Sequence, residues 1–260
     1  MNLKFVNNGV IEELPGFKSN IFPQSVATPA KEDFNNIKVL LHFDQSIIKD
    51  DIENNSWIAY NSPEISSTNA KFNKALQLRQ SSNQYISLSG GITLGGQDFT
   101  IDWWGYFSSA TTNYGRMLCI FDTLASNVNA IYFCRHTTTN QYNWLMANNI
   151  STYKSFQFNQ IHHFAITYNH SFNSANLFID GILDNSLSVS LPSHHYNYLW
   201  LGSNNYSSDK GYFEGSIDEF RITDGLILYK ENFSLPSSPY SLSDNSIPYY
   251  SEIQRIKMSD

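Results

Sequence analysis

The sequence has little charge, almost no cysteine and no long apolar run. Only 15% of the 260 residues are charged, and only two are cysteines. Two cysteines exclude a disulfide framework and a cysteine-rich zinc module, so packing has to hold the core together. No stretch approaches the roughly 18 consecutive apolar residues that a membrane-spanning helix needs. We therefore expect a soluble globular chain without membrane insertion.

Positive charge is also scarce. Sixteen Lys and Arg residues stand against 23 Asp and Glu residues, which gives a net charge of -7. Phosphate backbones are bound by basic surfaces, so we expect no nucleic-acid partner. The first nine residues hold a Lys but no apolar run of the length of a secretory signal peptide. From this start we expect no secretory route.

Aromatic residues and short apolar runs are abundant instead. Eighteen Phe, 16 Tyr and 5 Trp residues make up 15% of the chain. Apolar runs recur at intervals of roughly 8 to 15 residues between Asn, Ser, Gly and Asp clusters, which is typical of an antiparallel sandwich. No long amphipathic helix interrupts them, which excludes a parallel α/β sheet. An Asp180-Gly181 pair stands between two of these apolar runs. It predicts a β-hairpin with a two-residue type I′ turn.

The runs predict the following strands: Val39–Phe43, Ala75–Leu78, Tyr85–Leu88, Phe99–Phe107, Arg116–Asp122, Ala130–Arg135, Phe164–Tyr168, the hairpin Ala175–Leu183, Leu199–Gly202 and Gly215–Thr223. Residues 1–35 lack any sustained period and contain Pro15, Pro23 and Pro29, so they are predicted to form an extended N-terminal arm. Residues 36–242 form the predicted domain. Residues 243–260 are predicted to form a C-terminal tail.

Five short segments follow one another along the predicted domain. They are Leu40–Asp44, Lys71–Leu76 followed by Tyr85–Leu88, Asp98–Trp103, Ile161–Ala165 leading to Leu177–Gly181, and Gly215–Ile222. In this order they resemble the laminin-G-like, concanavalin A-like lectin/glucanase jelly-roll family. The resemblance covers roughly residues 37 to 240, and it implies an all-β fold, an antiparallel two-sheet jelly-roll sandwich.

The last part of the domain, Asp218–Tyr229 with Asn232, Phe233 and Pro236, is similar to versions found in bacteriophage and prophage structural proteins. That resemblance implies a non-enzymatic virion protein of a capsid or tail, in which the arm binds other virion proteins within a larger assembly. The outer loops would then contact a host surface glycan or a virion protein. The alternatives are a carbohydrate-binding module of a bacterial surface protein, placed on the cell surface, and a glycoside hydrolase.

Hydrolysis of a glycoside needs two carboxyl groups on either side of the scissile bond. The glycosidases that this chain resembles place them in a Glu-x-Asp-x-x-Glu string. Here the nearest string contains Glu214, Asp218 and Glu219, and its spacing is different. We therefore predict that the chain is not an enzyme and has no catalytic residues.

A structural calcium ion is one hypothesis for the aspartates, because hard cations take carboxylate and carbonyl oxygens. In some relatives the Asp after the first strand and the Asp of the late Ile-Asp-Glu strand lie near a shared ion. The resemblance implies Asp44 and Asp218 for that role, helped by Asp50 or Asp51. The other interpretation is that these side chains cap turns by accepting backbone N–H bonds. No other cofactor is predicted.

Loop aromatics are the predicted ligand-binding residues. A Tyr or Trp ring can stack on the apolar face of a sugar while neighbouring polar groups bind its hydroxyls. The predicted loops are 110–114, 137–144 and 194–206. They contain Tyr114, Tyr142, Trp144, Tyr196, Tyr198 and Tyr206.

Two further pairs bear on metal and redox chemistry. His162 and His163 are adjacent in a predicted strand and point to opposite faces, so they cannot chelate one metal; one ring is expected in the core and one in solvent. Cys119 and Cys134 fall nearly opposite each other in a predicted hairpin. A disulfide is one interpretation, and two buried free thiols are the interpretation we favour.

Overall fold

The computed structural model describes residues 36–110, 114–122, 130–135, 141–151, 154–155, 157–204 and 211–242, and the backbone of two short strands near the N-terminus. The rest of the predicted arm (1–35) and the tail (243–260) lie outside the described residues, so these boundaries stay predictions. Throughout the described part the regular elements are β-strands, apart from short 3₁₀ turns such as Gln80–Ser82. No helix in that part is long and apolar enough to cross a membrane.

The strands of the described part, in chain order, are β1 (Lys4–Asn7), β2 (Val10–Glu13), β3 (Ile37–Leu41), β4 (Trp57–Tyr60), β5 (Glu64–Ser66), β6 (Ala75–Leu78), β7 (Tyr85–Leu88), β8 (Ile92–Leu94), β9 (Phe99–Phe107), β10 (Arg116–Phe121), β11 (Ile131–Arg135), β12 (Gln141–Met146), β13 (Asn149–Ile150), β14 (Lys154–Ser155), β15 (Ile161–Asn169), β16 (Ser174–Ile179), β17 (Ile182–Ser188), β18 (His194–Tyr196), β19 (Tyr198–Leu201) and β20 (Gly215–Asp224).

Two eight-stranded antiparallel sheets form the body of the fold. Sheet I has the order β17-β16-β15-β9-β20-β6-β5, with β3 paired to β20 beside β6. Sheet II has the order β13-β12-β11-β10-β19-β7-β4, with β14 paired to β12. Sequence neighbours such as β9 and β10 lie in different sheets, so the chain crosses between layers repeatedly. The predicted all-β two-sheet sandwich is therefore confirmed.

The main core fills the space between the inner faces of the sheets. Trp103 and Phe164 of sheet I stack with their centroids 5.3 Å apart. Phe133 of sheet II meets both, at 5.8 Å from Trp103 and 4.8 Å from Phe164. Each of these rings is fully buried. Alternation along the strands places them inward, and aromatic rings at these separations add attraction beyond the burial of their area.

The Asp180-Gly181 hairpin predicted from the sequence is confirmed. Ile179 pairs with Ile182 across the turn, and the two turn residues have φ angles of 51° and 76°. Both left-handed values match a type I′ turn. A Cβ at Gly181 would lie 2.2 Å from the carbonyl oxygen of Phe233, so glycine is also required by this close approach.

The outer face of sheet I is covered by residues 225–242, which we call the C-terminal strap. Leu228, Tyr229 and Phe233 of the strap pack on Ala165 and Phe178 of the sheet. Tyr229 and Phe233 stack on each other with centroids 3.7 Å apart. The strap thus gives the sandwich a second apolar layer on this side.

Polar groups are enclosed beneath the strap. Asp102 on β9 accepts hydrogen bonds from Arg221 Nε at 3.0 Å and Nη2 at 2.8 Å, and from the Tyr229 hydroxyl at 2.8 Å. Burial alone would raise the pKa of Asp102, but the Arg221 guanidinium holds it below its usual range. The Tyr240 ring lies 4.0 Å from the Arg221 guanidinium, and its backbone N–H donates to Glu219 at 2.7 Å. These contacts anchor both ends of the strap.

The strap also explains a wrong expectation about the histidines. His162 and His163 do point to opposite faces of β15, but neither ring lies in solvent: their exposed fractions are 7% and 0%. His163 Nε2 lies 2.9 Å from the Tyr240 hydroxyl, under the strap. His162 Nδ1 contacts Asp180 Oδ2 at 2.6 Å at the hairpin. Alternation fixes the face of a residue, whereas burial depends on what covers that face.

The two cysteines are buried free thiols, as favoured from the sequence. They are not directly opposite each other, because a bulge shifts the register between β10 and β11. Cys119 pairs with Tyr132, and Cys134 pairs with Arg116. Burial raises the pKa of the Cys119 thiol to about 12 and that of Cys134 to about 11. Both therefore stay protonated and unreactive at neutral pH.

The N-terminal arm contains a hairpin that was not predicted. The β1 and β2 strands pair antiparallel, with Asn7 opposite Val10, and the hairpin joins neither main sheet. The intervening Asn8-Gly9 is a strong two-residue hairpin signal, so the sequence did contain the information.

Candidate functional site

The outer face of sheet II brings together aromatic side chains from four neighbouring strands. Tyr60 on β4 lies directly opposite Tyr85 on β7. Trp200 on β19 pairs with Ser87, one step along the same face of β7, and Tyr198 pairs with Phe121 on β10. Ile86, between Tyr85 and Ser87, and Leu199, between Tyr198 and Trp200, point into the main core. Alternation therefore sends every second side chain of these strands outward.

The outward rings are in continuous contact. Tyr60 and Tyr85 stack at 4.2 Å with an interplanar angle of 4°. Trp200 lies 4.7 Å from Tyr85 and 5.3 Å from Phe121, and Phe121 stacks on Tyr198 at 4.9 Å. Tyr212, in the segment before β20, adds a ring 6.3 Å from Tyr85. We call these six residues, Tyr60, Tyr85, Phe121, Tyr198, Trp200 and Tyr212, the aromatic face.

Exposure is graded across the aromatic face. Tyr60 is 36% exposed and Ile58, beside it on the edge strand, is 45% exposed. Tyr85, Tyr198 and Tyr212 are half-buried, and Trp200 beneath them is 8% exposed. The buried indole Nε1–H of Trp200 has no acceptor among the described residues. Such a donor costs free energy when it is left unpaired.

Amide groups border the exposed end of the aromatic face. Asn61 Nδ2 donates to the carbonyl oxygen of Asn83 at 2.7 Å, and Gln84 Nε2 donates to the carbonyls of Asn61 and Ser62 at 3.1 and 3.0 Å. These bonds fix the ends of β4 and β7 next to Tyr60 and Tyr85. The rings are therefore held on a rigid frame rather than on a free loop.

The phenol of Tyr85 remains neutral at physiological pH. Burial, followed by the neighbouring Tyr60 and Tyr212, raises the pKa of Tyr85 to about 12. A neutral phenol both donates and accepts a hydrogen bond. The aromatic face thus combines apolar ring surface with hydroxyl groups, and it presents this chemistry without a charge on the ring.

Of the six aromatic residues predicted from the sequence, two belong to this region. Tyr198 is part of the aromatic face, and Tyr114 packs against the adjoining cluster that contains Trp200, Phe121 and Tyr132. Tyr206 lies outside the described residues. Sequence reasoning missed the other five members of the aromatic face, Tyr60, Tyr85, Phe121, Trp200 and Tyr212. The signal available for Tyr85 and Trp200 was their position in predicted strands, one step out of phase with the core residues.

The structure corrects the placement of the other three, Tyr142, Trp144 and Tyr196. Each lies in a strand rather than a loop, and each is fully buried in the main core. Tyr142 stacks on Phe133 at 5.1 Å, which encloses its ring between the sheets. A ring without an exposed face cannot stack on a ligand.

Asp44 and Asp218 cap turns, as in the second interpretation of the sequence. Asp218 Oδ2 accepts the backbone N–H groups of Lys71 and Phe72, both at 2.8 Å. Asp44 accepts Lys74 N–H at 3.2 Å and Asn73 Nδ2 at 2.9 Å. Within the described residues no three His, Cys, Asp or Glu side chains are grouped to hold a metal ion. The described residues therefore offer no cluster of ligands that would support the calcium hypothesis.

Asp50, the suggested additional calcium ligand, also accepts hydrogen bonds from the protein itself. Its carboxylate accepts the backbone N–H of Leu40 at 3.0 Å, the backbone N–H of Ile52 at 2.9 Å and the indole N–H of Trp57 at 2.9 Å. Asp51 lies 3.2 Å from His42 Nε2. These aspartates thus stabilise the loop after β3.

The acidic side chains between Glu214 and Glu219 also make contacts that stabilise the fold. Glu214 accepts the backbone N–H of Gln80 at 2.7 Å, and Glu219 contacts His42 Nδ1 at 2.8 Å. A bulge in β20 between Asp218 and Arg221 gives Glu219 a φ of 51°. Burial, reinforced by Glu219 and Asp44 against two backbone N–H bonds, raises the pKa of Asp218 to about 7.

Two large antiparallel sheets packed as a sandwich place the chain in the class of lectin-like, concanavalin A-like jelly rolls. The sequence model of Laminin_G_3, described as the concanavalin A-like lectin/glucanases superfamily, matches residues 80–228. The chain belongs to this family. The resemblance stated from five short segments is thereby confirmed at the level of the family.

Solved structures show the same fold at low sequence identity. The binding domain of Paraclostridial Mosquitocidal Protein 1 is 17% identical, with a TM-score of 0.58 over 75% of this chain and 50% of that one. The receptor-binding domain of botulinum neurotoxin type G is 14% identical, with a TM-score of 0.55 over 75% and 49%. This chain therefore spans about half the length of those toxin domains.

A third similar structure is matched over nearly its whole length. Domain 4 of AbnA, a GH43 extracellular arabinanase from Geobacillus stearothermophilus, was solved in complex with arabinotriose. It is 15% identical, with a TM-score of 0.53 over 74% of this chain and 94% of that one. A search of curated proteins found no match.

Proposed function

We propose that this chain is a non-enzymatic, carbohydrate-binding domain that uses the aromatic face of sheet II. The observation that supports the proposal is the continuous set of rings on the outer face of a lectin-like sandwich. Tyr and Trp present an apolar ring together with a polar group, which suits the mixed apolar and hydroxyl surface of a sugar. The solved relative that holds arabinotriose adds support from the same fold.

The absence of enzymatic activity is proposed from the roles of the acidic side chains. Asp102 is held by Arg221, Glu219 by His42 and the strap, and Asp218 by two backbone N–H groups. Catalysis by a carboxylate pair needs groups that can reach the substrate. Purified protein should therefore release no reducing sugar from any polysaccharide that it binds.

The binding experiment compares the full chain with two variants on a broad glycan array. Tyr85→Ala removes the central ring of the aromatic face and should weaken binding at least ten-fold, equivalent to about 1.4 kcal/mol. Phe172→Ala is the matched control, because Phe172 is 79% exposed in the turn between β15 and β16 of sheet I. Circular dichroism checks that both variants fold. Equal binding by folded Tyr85→Ala and wild type contradicts the proposal.

Self-association is the competing use of an exposed aromatic face. Sedimentation velocity of the wild type and Tyr85→Ala separates it from glycan binding. We expect the same sedimentation coefficient for both proteins. A wild-type dimer that Tyr85→Ala dissociates, without glycan binding, would assign the aromatic face to a second copy.

Calcium should have no part in this binding. The array is run once with calcium and once with a chelator, and we expect equal signals because Asp44 and Asp218 already accept backbone and amide N–H groups. Chelator-sensitive binding would restore the calcium hypothesis.

A virion location is the finer proposal, supported by the similarity of Asp218–Tyr229 to bacteriophage structural proteins. The alternative is a carbohydrate-binding module of a bacterial surface protein. Antibodies against the purified protein should detect it in gradient-purified phage particles, and deletion of residues 1–33 should abolish incorporation. Detection only on the surface of uninfected cells would favour the alternative, and normal incorporation of the truncated chain would remove the anchoring role of the arm.

A further inference from the structure

The aromatic face is larger than a site for one sugar ring. Its rings come from four adjacent strands, β4, β7, β19 and β10. Tyr60 on β4 and Tyr198 on β19 are two strand spacings apart, about 10 Å across the sheet, and Tyr198 is also displaced along its strand from the level of Tyr85. Tyr60 at one end and Tyr198 at the other are both accessible, while Trp200 between them is largely buried. The accessible rings thus mark two ends of one strip that runs obliquely across the strands.

The net charge of the chain disfavours an anionic ligand, and the Arg116 guanidinium in the adjoining cluster stacks on Tyr132 at 4.8 Å. Asp122 lies at the Tyr198 end, where it accepts a hydrogen bond from Asn197 Nδ2. At the Tyr60 end the neighbouring groups are the side-chain amides of Asn61 and Gln84 and the backbone carbonyl of Asn83. The whole chain carries a net charge of -7, which repels anions at long range. Neutral hydroxyl groups match the amides and phenols better than carboxylates do.

We propose that the aromatic face binds the interior of an extended, uncharged oligosaccharide rather than a single terminal sugar. The inference rests on the proposed carbohydrate-binding function and adds the length and charge of the ligand. Successive sugar rings would contact the Tyr60 and Tyr85 end, the centre near Trp200 and the Tyr198 end.

The test is a series of calorimetric titrations with ligands of defined length. The probes are neutral gluco-, galacto- and arabino-oligosaccharides of one to six residues, with oligogalacturonides as the acidic counterparts of the galactose series. We expect affinity for at least one neutral series to rise ten-fold or more between the monosaccharide and the tetrasaccharide and then to level off. The oligogalacturonides should bind at least ten-fold more weakly than the neutral chains.

Two variants locate the ends of the strip. Tyr60→Ala and Tyr198→Ala should each reduce the gain from chain length while changing monosaccharide binding less than three-fold. Phe172→Ala should leave the whole length series unchanged. A loss that is equal at every ligand length would show that neither residue marks an end.

The remaining outcomes separate this inference from the proposed function. A monosaccharide that binds as tightly as the tetrasaccharide, or an acidic chain that binds as tightly as a neutral one, overturns the inference and leaves carbohydrate binding intact. Array binding confined to branched or sialylated glycans does the same. No binding to any glycan on the array or in the series contradicts both.

Discussion

The outer faces of the two sheets differ in whether other parts of the chain cover them. The outer face of sheet I lies under the C-terminal strap, where Asp102 and Arg221 form a buried ion pair and Tyr240 joins Glu219 and His163. The outer face of sheet II keeps its aromatic side chains within reach of solvent at Tyr60 and Tyr85. One face is therefore covered by the strap, whereas part of the other is accessible to solvent.

This difference shows why the same residue types have different roles in one fold. His163 and Trp104 are neighbours across β15 and β9, and both would be solvent-facing on an uncovered sheet. The strap and the turn near Phe72 enclose them, and their rings meet at 4.9 Å. Tyr85 and Trp200 have an equivalent outward position on sheet II, where the described residues leave part of the surface open.

The largest expected effect comes from breaking the ion pair under the strap. Arg221→Met leaves the carboxylate of Asp102 buried without its cation, so the free energy of unfolding should fall by about 3–5 kcal/mol. Urea denaturation followed by fluorescence measures this change in the free energy of unfolding. Arg79→Met is the control, because Arg79 pairs with Glu64 where the two side chains are 59% and 57% exposed. The control should cost less than about 1 kcal/mol. A loss below that value for Arg221→Met would refute a stabilising role for the covered face.

The next effect concerns the apolar side of the strap. Phe233 stacks on Tyr229 and meets Phe178 of the sheet at 5.6 Å, with only 9% of its surface exposed. Phe233→Ala should cost about 2–4 kcal/mol, slightly less than a fully enclosed Phe. Hydrogen exchange should then increase first in residues 225–242. Unchanged protection of the strap, beside a general loss of stability, would show that Phe233 does not hold it.

A smaller effect of opposite sign is expected for Asp218→Asn. The pKa of Asp218 is raised from 3.8 to about 7, so the folded state holds this proton more tightly than the unfolded state does. Its contribution to stability therefore falls as pH rises from about 4 to 7. The variant removes the buried charge, and it should be about 1–2 kcal/mol more stable than the wild type at pH 8, since weaker bonds from Lys71 and Phe72 offset part of the gain.

Thermal unfolding at pH 4 and pH 8 measures this difference. At pH 4 both proteins carry a neutral side chain at position 218, and their Tm values should agree. At pH 8 the variant should unfold about 2–8 °C higher. A variant that is less stable at pH 8 would mean that the charged carboxylate is favoured by its backbone N–H donors.

The smallest effect on stability is expected on the aromatic face. Tyr60 lies on the edge strand, is 36% exposed and stacks on a single described ring, Tyr85. Tyr60→Ala should lower the free energy of unfolding by less than about 1 kcal/mol, which is the worth of an exposed aromatic pair. Glycan affinity should nevertheless fall, and Tyr60→Phe should retain it. A large loss of stability with unchanged affinity would reverse the roles that we assign to the two faces.

Much of the fold could be predicted from the sequence because strand alternation is a local property. Phe99–Phe107 was predicted with the bounds that β9 has in the structure, and Trp103 and Trp104 do lie on opposite faces. The strand Gln141–Met146 was missed, although Tyr142, Trp144 and Met146 alternate with polar Asn143 and with Leu145. The surrounding polar residues obscured that alternation, and two core rings were therefore placed in a loop.

The candidate site was predicted only in part. Tyr198 was identified as an accessible aromatic residue, but Tyr60, Tyr85 and Trp200 come from strands that are far apart in sequence. Tyr60 and Tyr85 meet because β4 and β7 are neighbours, and Trp200 joins them because β19 lies on the other side of β7. Strand order is set by which faces bury the most apolar surface together, and no single segment contains that information.

The sequence by itself determined the class of fold, the Asp180-Gly181 hairpin and the assignment of alternating residues to opposite faces. These properties depend on backbone geometry and on side chains a few residues apart. Only the tertiary structure decided that the strap buries His163 and Arg221, that Asp44 and Asp218 cap turns, and that six rings form one surface on sheet II. Those outcomes depend on contacts between segments up to 147 residues apart, as between Lys71 and Asp218. Such contacts form only when the two sheets and the strap have packed together.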